Sequence, residues 1–197
     1  YELVEGNYVH QTAIVNWNNL IIGKNNIIGP FACIGLAAQH TSKKSCGHIK
    51  IGNSNIFREY ATVHMPTESK TGTVIGNKNY FMVNSHVAHD CLIVNNVIMC
   101  NNSAIAGHVH LMQGCVLALN SSVHQFQRIG SWSMIGMNSC VIKGSRIKPG
   151  RKYAGTPAID IGPNSLGLSR AKITTNELQK EVERFELYNG RFRVNTN

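Results

Sequence analysis

VAHDCLIVNNVIMCNNSAIAGHVHL, Val87 to Leu111, carries an apolar side chain at every sixth position: Val87, Ile93, Met99, Ile105 and Leu111. The register holds outward without a slip, back through Phe81 to Ile75 and forward through Leu117, Ile129 and Ile147 to Tyr153. Four residues after each of these positions the side chain is usually small, as at Ser85, Cys91, Val97, Ser103 and Cys115. The same phase recurs earlier at Ile22, Ile28 and Ile34, and again at Ile51, Phe57 and Val63. A strict period of six fits neither a helix nor ordinary strand alternation. Stacked flat coils with one inward apolar residue per side produce it, and three sides give a coil of about 18 residues in a parallel β-helix.

The mainly all-β chain therefore divides into a β-helix domain over residues 1–160 and a C-terminal helical extension over 161–197. Two polar segments, Leu36 to His48 and Met65 to Val74, interrupt the period and are expected to project from coil corners as loops. In the extension, Thr174 and Glu177 have capping-box spacing, Leu178, Val182 and Phe185 form an apolar stripe, and Gly190 can end the helix. A single short helix is expected to pack on the end of the prism or on a neighbouring subunit.

The chain has 197 residues, 43% of them hydrophobic, and a formal charge of +9. That size supports one domain with an appendage, and the charge favours an acidic partner: a nucleic acid, a phosphorylated metabolite or an acidic carrier protein. Dispersed basic residues without interleaved aromatics put nucleic acid last. No apolar run approaches the roughly 18 residues of a membrane span, and no basic region leads into an apolar stretch, so the expected compartment is the cytoplasm. Six cysteines form no CxxC pair and read as free thiols filling small apolar positions.

With 18 residues per coil, His89, Gly107 and Gln125 fall into one vertical column. Asp90, His108 and Phe126 flank it on one side, and Ala88, Ala106 and His124 on the other. His86 stands three residues before His89. The motifs VAHD, AGHV and VHQF thus converge on a single patch, whereas His10, His40, His48 and His110 are read as solvated corner side chains. Asp90 directly after His89 suits an imidazole oriented by a carboxylate, and Gly107 above it can present a backbone N–H. The competing reading is a zinc site built from His86, His108 and the His124 of a neighbouring subunit.

Assembled in this way, the chain resembles the UDP-N-acetylglucosamine O-acyltransferases that begin lipid A biosynthesis. The carriers are VHQTAIV near the start, IGPF at 28–31, REYATVH at 58–64, NSHVAHDC at 84–91, NNSAIAGHV at 101–109, SSVHQF at 121–126 and GPNSLGLSR at 162–170. The resemblance implies a left-handed β-helix, a homotrimer with sites between subunits, and acyl transfer from acyl carrier protein to the sugar 3-hydroxyl. It further implies His89 as general base, Asp90 as its orienter and Gly107 N–H as oxyanion donor, with no metal or other cofactor. His86, His108, His124, Gln125, Asn164, Arg170 and Gln39 become substrate contacts. Met137 stands where the family has a glycine that leaves room for a long acyl chain, which implies a shorter donor. Two further departures are His40-Thr41, where the family has an acidic residue and its neighbour, and Met65-Pro66 in place of Arg-Gly.

The segment GTPA at 155–158 resembles the end of the repeat in acetyl-CoA-dependent relatives. This keeps open an N-acyltransferase acting on a nucleotide-linked 3-amino sugar with acetyl-CoA or acyl carrier protein. A zinc lyase and a non-catalytic scaffold are the readings from other classes.

Overall fold

A computed structural model describes residues 1–68 and 72–189. The protein is a left-handed parallel β-helix whose three faces are sheets of ten, six and seven short strands. Strands pair with the residue one coil away, as in Tyr80 with Ile98, His86 with Ala104, and Leu92 with His110, an offset of 18. Each coil therefore rises by one strand spacing, about 4.8 Å.

The six-residue period divides into a two-residue strand and a four-residue corner. At the corner a residue with positive φ turns the chain: Asn84, Asp90, Asn96, Asn102, His108 and Asn120 all lie at φ between 55° and 59°. Asn, Asp and His tolerate this left-handed conformation better than other side chains, which accounts for the polar residue recurring at that place. The small residue that follows closes the corner. Ser103, Ser121 and Ser133 each donate their hydroxyl, at 2.7 Å, to the carbonyl three residues back.

Inward, Ile93, Met99, Ile105, Leu111 and Leu117 are fully buried in one continuous stack. Burying a side chain of this kind is worth about 1.5–3 kcal/mol. Phe57 and Phe81 continue the stack with rings 4.7 Å apart and parallel within 1°. On one corner of the N-terminal coils the small residue is replaced by asparagine. Asn7, Asn26, Asn55 and Asn79 are buried, and each Oδ1 accepts a backbone N–H from the next coil at 2.8–3.0 Å, the last from Val97.

Both ends of the repeat are closed by antiparallel pairing, Glu2–Val4 with Asn7–Val9 and Arg151–Ala154 with Ile159–Pro163. The strand Ile159–Pro163 spans the position between 160 and 161 where the extension was expected to begin. A short helix, α1 (Ser165–Arg170), follows it, and the sequence had given no sign of either element. The longer helix, α2 (Thr175–Asn189), starts on the expected capping box: Thr174 N and Oγ1 donate to Glu177 Oε2 at 2.8 and 2.7 Å. Gly190 lies outside the described residues. The helix packs along a corner of the C-terminal coils, with Phe185 buried, Arg128 over its ring at 5.5 Å, Ser131 donating to Glu181 at 2.6 Å and Arg146 paired with Glu186.

The interruptions are shorter than the polar composition indicates. Leu36 ends the strand Cys33–Leu36, and Thr73 begins the strand Thr73–Ile75, because both still have ladder partners in the neighbouring coil. Positions 69–71 lie outside the described residues. All six cysteines are free, Cys91 and Cys115 buried and the other four half-buried. Burial pushes the Cys91 thiol up to about 12. Among the described residues no helix is long and apolar enough to cross a membrane.

Candidate active site

Both insertions leave the prism at the corner that follows the sheet of Cys33–Leu36, Thr62–His64 and His86–Val87. One coil further along, the same corner carries His89 and Asp90. With side chains standing away from the ladder, this corner is where polar groups from three successive coils and two loops meet.

Asp90 sits at φ 58°, which turns its carboxylate back toward the loop of residues 65–68. There Thr67 N donates to Oδ2 at 3.0 Å, Thr67 Oγ1 to Oδ2 at 2.7 Å and Glu68 N to Oδ1 at 3.0 Å. His89 Nδ1 lies 2.8 Å from the same Oδ2. Burial works to raise the Asp90 carboxyl, but the hydrogen bonds from Thr67, His89 and Glu68 together outweigh it and hold the group below the usual carboxylate range. An ionised Asp90 accepts only, so His89 Nδ1 carries the proton and donates. The lone pair of His89 is then on Nε2, the geometry of an oriented general base.

The coil above supplies Gly107. Its backbone closes against the His89 imidazole, and a Cβ there would fall 2.5 Å from Cε1 and 2.7 Å from Nε2. Next to it His108 stands 5.2 Å from His89, ring to ring and near perpendicular, with Nε2 3.8 Å from Asp90 Oδ2. Phe126, from the following coil, stacks on His108 at 4.5 Å. Burial lowers the His108 pKa from its ordinary value, against the pull of Asp90 and Glu68. In the same coil as His89, His86 Nδ1 is 2.8 Å from Thr62 Oγ1 of the coil below, and burial followed by the neighbouring His64 lowers its pKa as well.

The structure thus brings His89, Asp90, Gly107 and His108 together, with His86 on the strand that leads into this corner, against Thr62 and His64, and the exposed pair His124 and Gln125 one coil beyond Gly107 and His108. It does not bring Met137, Asn164 or Arg170 to that corner within one chain. Met137 is 65% exposed on the corner of Asn101 and Leu119, because 48 residues from His89 is two coils and two further sides. Asn164 is buried beside the third corner, donating to Trp132 O at 2.9 Å and capping α1 through Gly167 N. Arg170 is exposed at the end of α1 and Gln39 is exposed in the first insertion.

His40 corrects one expectation. Instead of a solvated side chain, its ring packs edge-on against His89 at 5.3 Å, while its Nδ1 accepts from Ser42 N at 3.1 Å and Lys43 N at 3.0 Å. His64 was also missed: it is buried, its ring 5.1 Å from that of His86. The signal for both lay in where the insertions branch, immediately after the strand residues in register with Val87. A zinc reading gains a candidate set, since His89, Asp90 and His108 offer ligand atoms within 4.8 Å of one another. Asp90 fits the role poorly, because four protein donors already take its oxygens, and a metal would have to displace them.

No protein-family model matches the chain. Over 158 residues it is 39% identical to the acyl-[acyl-carrier-protein]–UDP-N-acetylglucosamine O-acyltransferase of Janthinobacterium sp. (strain Marseille), covering 78% of this chain and 59% of that protein. The enzyme of the same name from Synechocystis sp. is 35% identical over 167 residues, covering 84% and 60%. The chain therefore spans about three fifths of the length of the curated relatives it matches. Among solved structures, LpxA from Acinetobacter baumannii is 30% identical with a TM-score of 0.68, covering 94% of this chain and 84% of that one. LpxA of Bacteroides fragilis, a UDP-N-acetylglucosamine acyltransferase, is 29% identical with a TM-score of 0.80, covering 98% and 73%.

Proposed function

The chain belongs to the family of UDP-N-acetylglucosamine O-acyltransferases, and we propose that it transfers an acyl group from acyl carrier protein to the 3-hydroxyl of UDP-N-acetylglucosamine. The relatives' names carry this donor and this nucleotide sugar, and the reaction would open lipid A biosynthesis in the cytoplasm. The observation that carries the proposal is His89 Nδ1 at 2.8 Å from an ionised Asp90, with Gly107 closed against the ring.

His89 Nε2 takes the proton of the sugar hydroxyl as its oxygen attacks the thioester carbonyl carbon. The imidazolium that forms is stabilised by Asp90, and the tetrahedral oxyanion takes a hydrogen bond from Gly107 N–H. When the C–S bond breaks, the proton on Nε2 goes to the departing thiolate, so base and acid are the same residue. His86, His108, His124 and Gln125 line the corner along which sugar, diphosphate and acyl chain would lie, and Gln39 reaches it from the first insertion. Asn164, Arg170 and Met137 belong to other corners and act on this site from neighbouring subunits of a homotrimer. Met137 then shortens the acyl channel, and the net positive charge suits both a diphosphate and an acidic carrier.

The test is a mass-spectrometric transfer assay on wild type and His89→Ala. It offers UDP-N-acetylglucosamine and its 3-amino analogue with acetyl-CoA and with carrier proteins of increasing acyl length. An O-acylated product from a carrier-bound donor, reduced at least a hundredfold in His89→Ala, is expected. Product from the amino sugar alone would overturn the assignment in favour of N-acyl transfer.

A further inference from the structure

The two insertions are tied to each other as well as to the prism. Cys46 N donates to Pro66 O at 2.9 Å, Met65 N to Leu36 O at 2.9 Å, and Lys43 Nζ meets Glu68 Oε1 at 3.1 Å. What this joined pair of loops reaches is Asp90. Its Oδ2 accepts the Thr67 hydroxyl at 2.7 Å, the Thr67 amide at 3.0 Å and His89 Nδ1 at 2.8 Å. Thr67 is itself buried, so water does not compete for that oxygen from its side.

We infer that Thr67 is a positioning residue of the His89–Asp90 pair: its hydroxyl shares Asp90 Oδ2 with His89 and so sets both the aim and the basicity of the imidazole. The inference rests on reading His89 as the base. Each donor on a carboxylate oxygen disperses charge that would otherwise act on the histidine. With the hydroxyl gone, the imidazolium is favoured more strongly and His89 stays protonated to higher pH, where it cannot take a proton from substrate. The two backbone N–H donors, from Thr67 and Glu68, remain after the side chain is changed, which keeps the loop seated and separates the hydroxyl's effect from the loop's.

The other groups around His89 do not supply this control. His40 faces it from the first insertion, His108 from the coil above and His64 from the coil below, and burial lowers the pKa of both His64 and His108. Lys43 and Glu68, which act on His108, pair with each other. Asp90 is the charge in direct contact with His89.

The experiment uses the full chain with 15N-labelled histidine. It follows the His89 ring by NMR titration and kcat/KM by the transfer assay, both from about pH 5 to 9, in wild type, Thr67→Val and Thr67→Ser. In Thr67→Val the acid limb of kcat/KM and the ring's titration midpoint should both move up by about half a pH unit or more, with kcat/KM at neutral pH down severalfold. Thr67→Ser should restore both. Thr67→Ala carries the same test should the valine variant fail to fold. A limb and a midpoint that stay where they are in a folded variant lacking the hydroxyl would overturn the inference. Absence of transfer by wild type with every donor would sink the acyltransferase reading alone, because the NMR arm still decides whether Thr67 controls His89.

Discussion

Gly107 has an ordinary backbone conformation, so nothing in its φ demands glycine. The demand comes from His89, whose Cε1 and Nε2 occupy the space a Cβ would need, at 2.5 and 2.7 Å. Gly107→Ala must therefore push aside the imidazole whose Nε2 takes the proton. Transfer activity should fall by about two orders of magnitude or more, as for a misplacement of about 1 Å at a reacting group. The stability cost should be about 1–3 kcal/mol, typical of overpacking. Adding His89→Ala to Gly107→Ala should return most of that stability, because the clash leaves with the ring. Urea unfolding of the four proteins of this cycle checks the steric account, and additive costs would refute it. The column of His89, Gly107 and Gln125 was legible because one number, the coil length, places it. His40, His64 and Thr67 were not: two come from segments where the period is broken, and no spacing tells where a twelve-residue loop lays a side chain.

The strand-and-corner element shows how much one position can carry. The apolar stripe of Ile75, Phe81 and Val87 is read directly, since an inward residue must be apolar in every coil. The position four residues later is subtler, because a small side chain there can be replaced by a polar one that supplies its own partners. Asn55 is such a replacement: it donates to Asn26 Oδ1 at 2.9 Å and to Gly76 O at 2.9 Å, and accepts from Asn79 N at 2.9 Å. Asn55→Ala leaves a buried N–H and a buried carbonyl without partners, and each such group costs about 1–3 kcal/mol. A loss of about 2–5 kcal/mol on unfolding in urea is expected, against a few tenths for Lys50→Ala at an exposed strand position with ordinary backbone. Equal effects at the two sites would show that the buried ladder contributes nothing. The hairpin strand Ile159–Pro163 and α1 escaped notice for a related reason. With Ile159 and Ile161 exposed and no buried side chain in α1, neither segment has the buried face that makes a pattern.

On the scale of the whole molecule, a β-helix is a stack in which each coil rests only on its neighbours, so its stability is limited by its weakest run of coils rather than shared evenly. The ends are closed by hairpins and the C-terminal coils are braced by α2, while the middle coils hold an unusual density of histidines. Burial, the largest influence on each, lowers the pKa of His64, His86, His108 and His110. A histidine whose folded value lies below its unfolded value of about 6.5 binds protons more readily in the unfolded chain. Its contribution is therefore fully present above about pH 6.5 and lost as pH falls toward the folded values. Asp90 adds a second loss of the same sign at lower pH, since its folded value is also depressed: its contribution stands above about pH 3.9 and disappears as pH drops through the folded value. Stability should thus decline in two stages on acidification, the first in the histidine range and the second in the carboxylate range. Because the groups responsible lie within residues 62–110, backbone hydrogen exchange should rise there first, with the coils of residues 7–34 and 128–153 still protected. Denaturant unfolding at a series of pH values, with exchange measured by mass spectrometry at each, separates this from general acid unfolding. A decline confined to the carboxylate range, or exchange that spreads from either end, would contradict it.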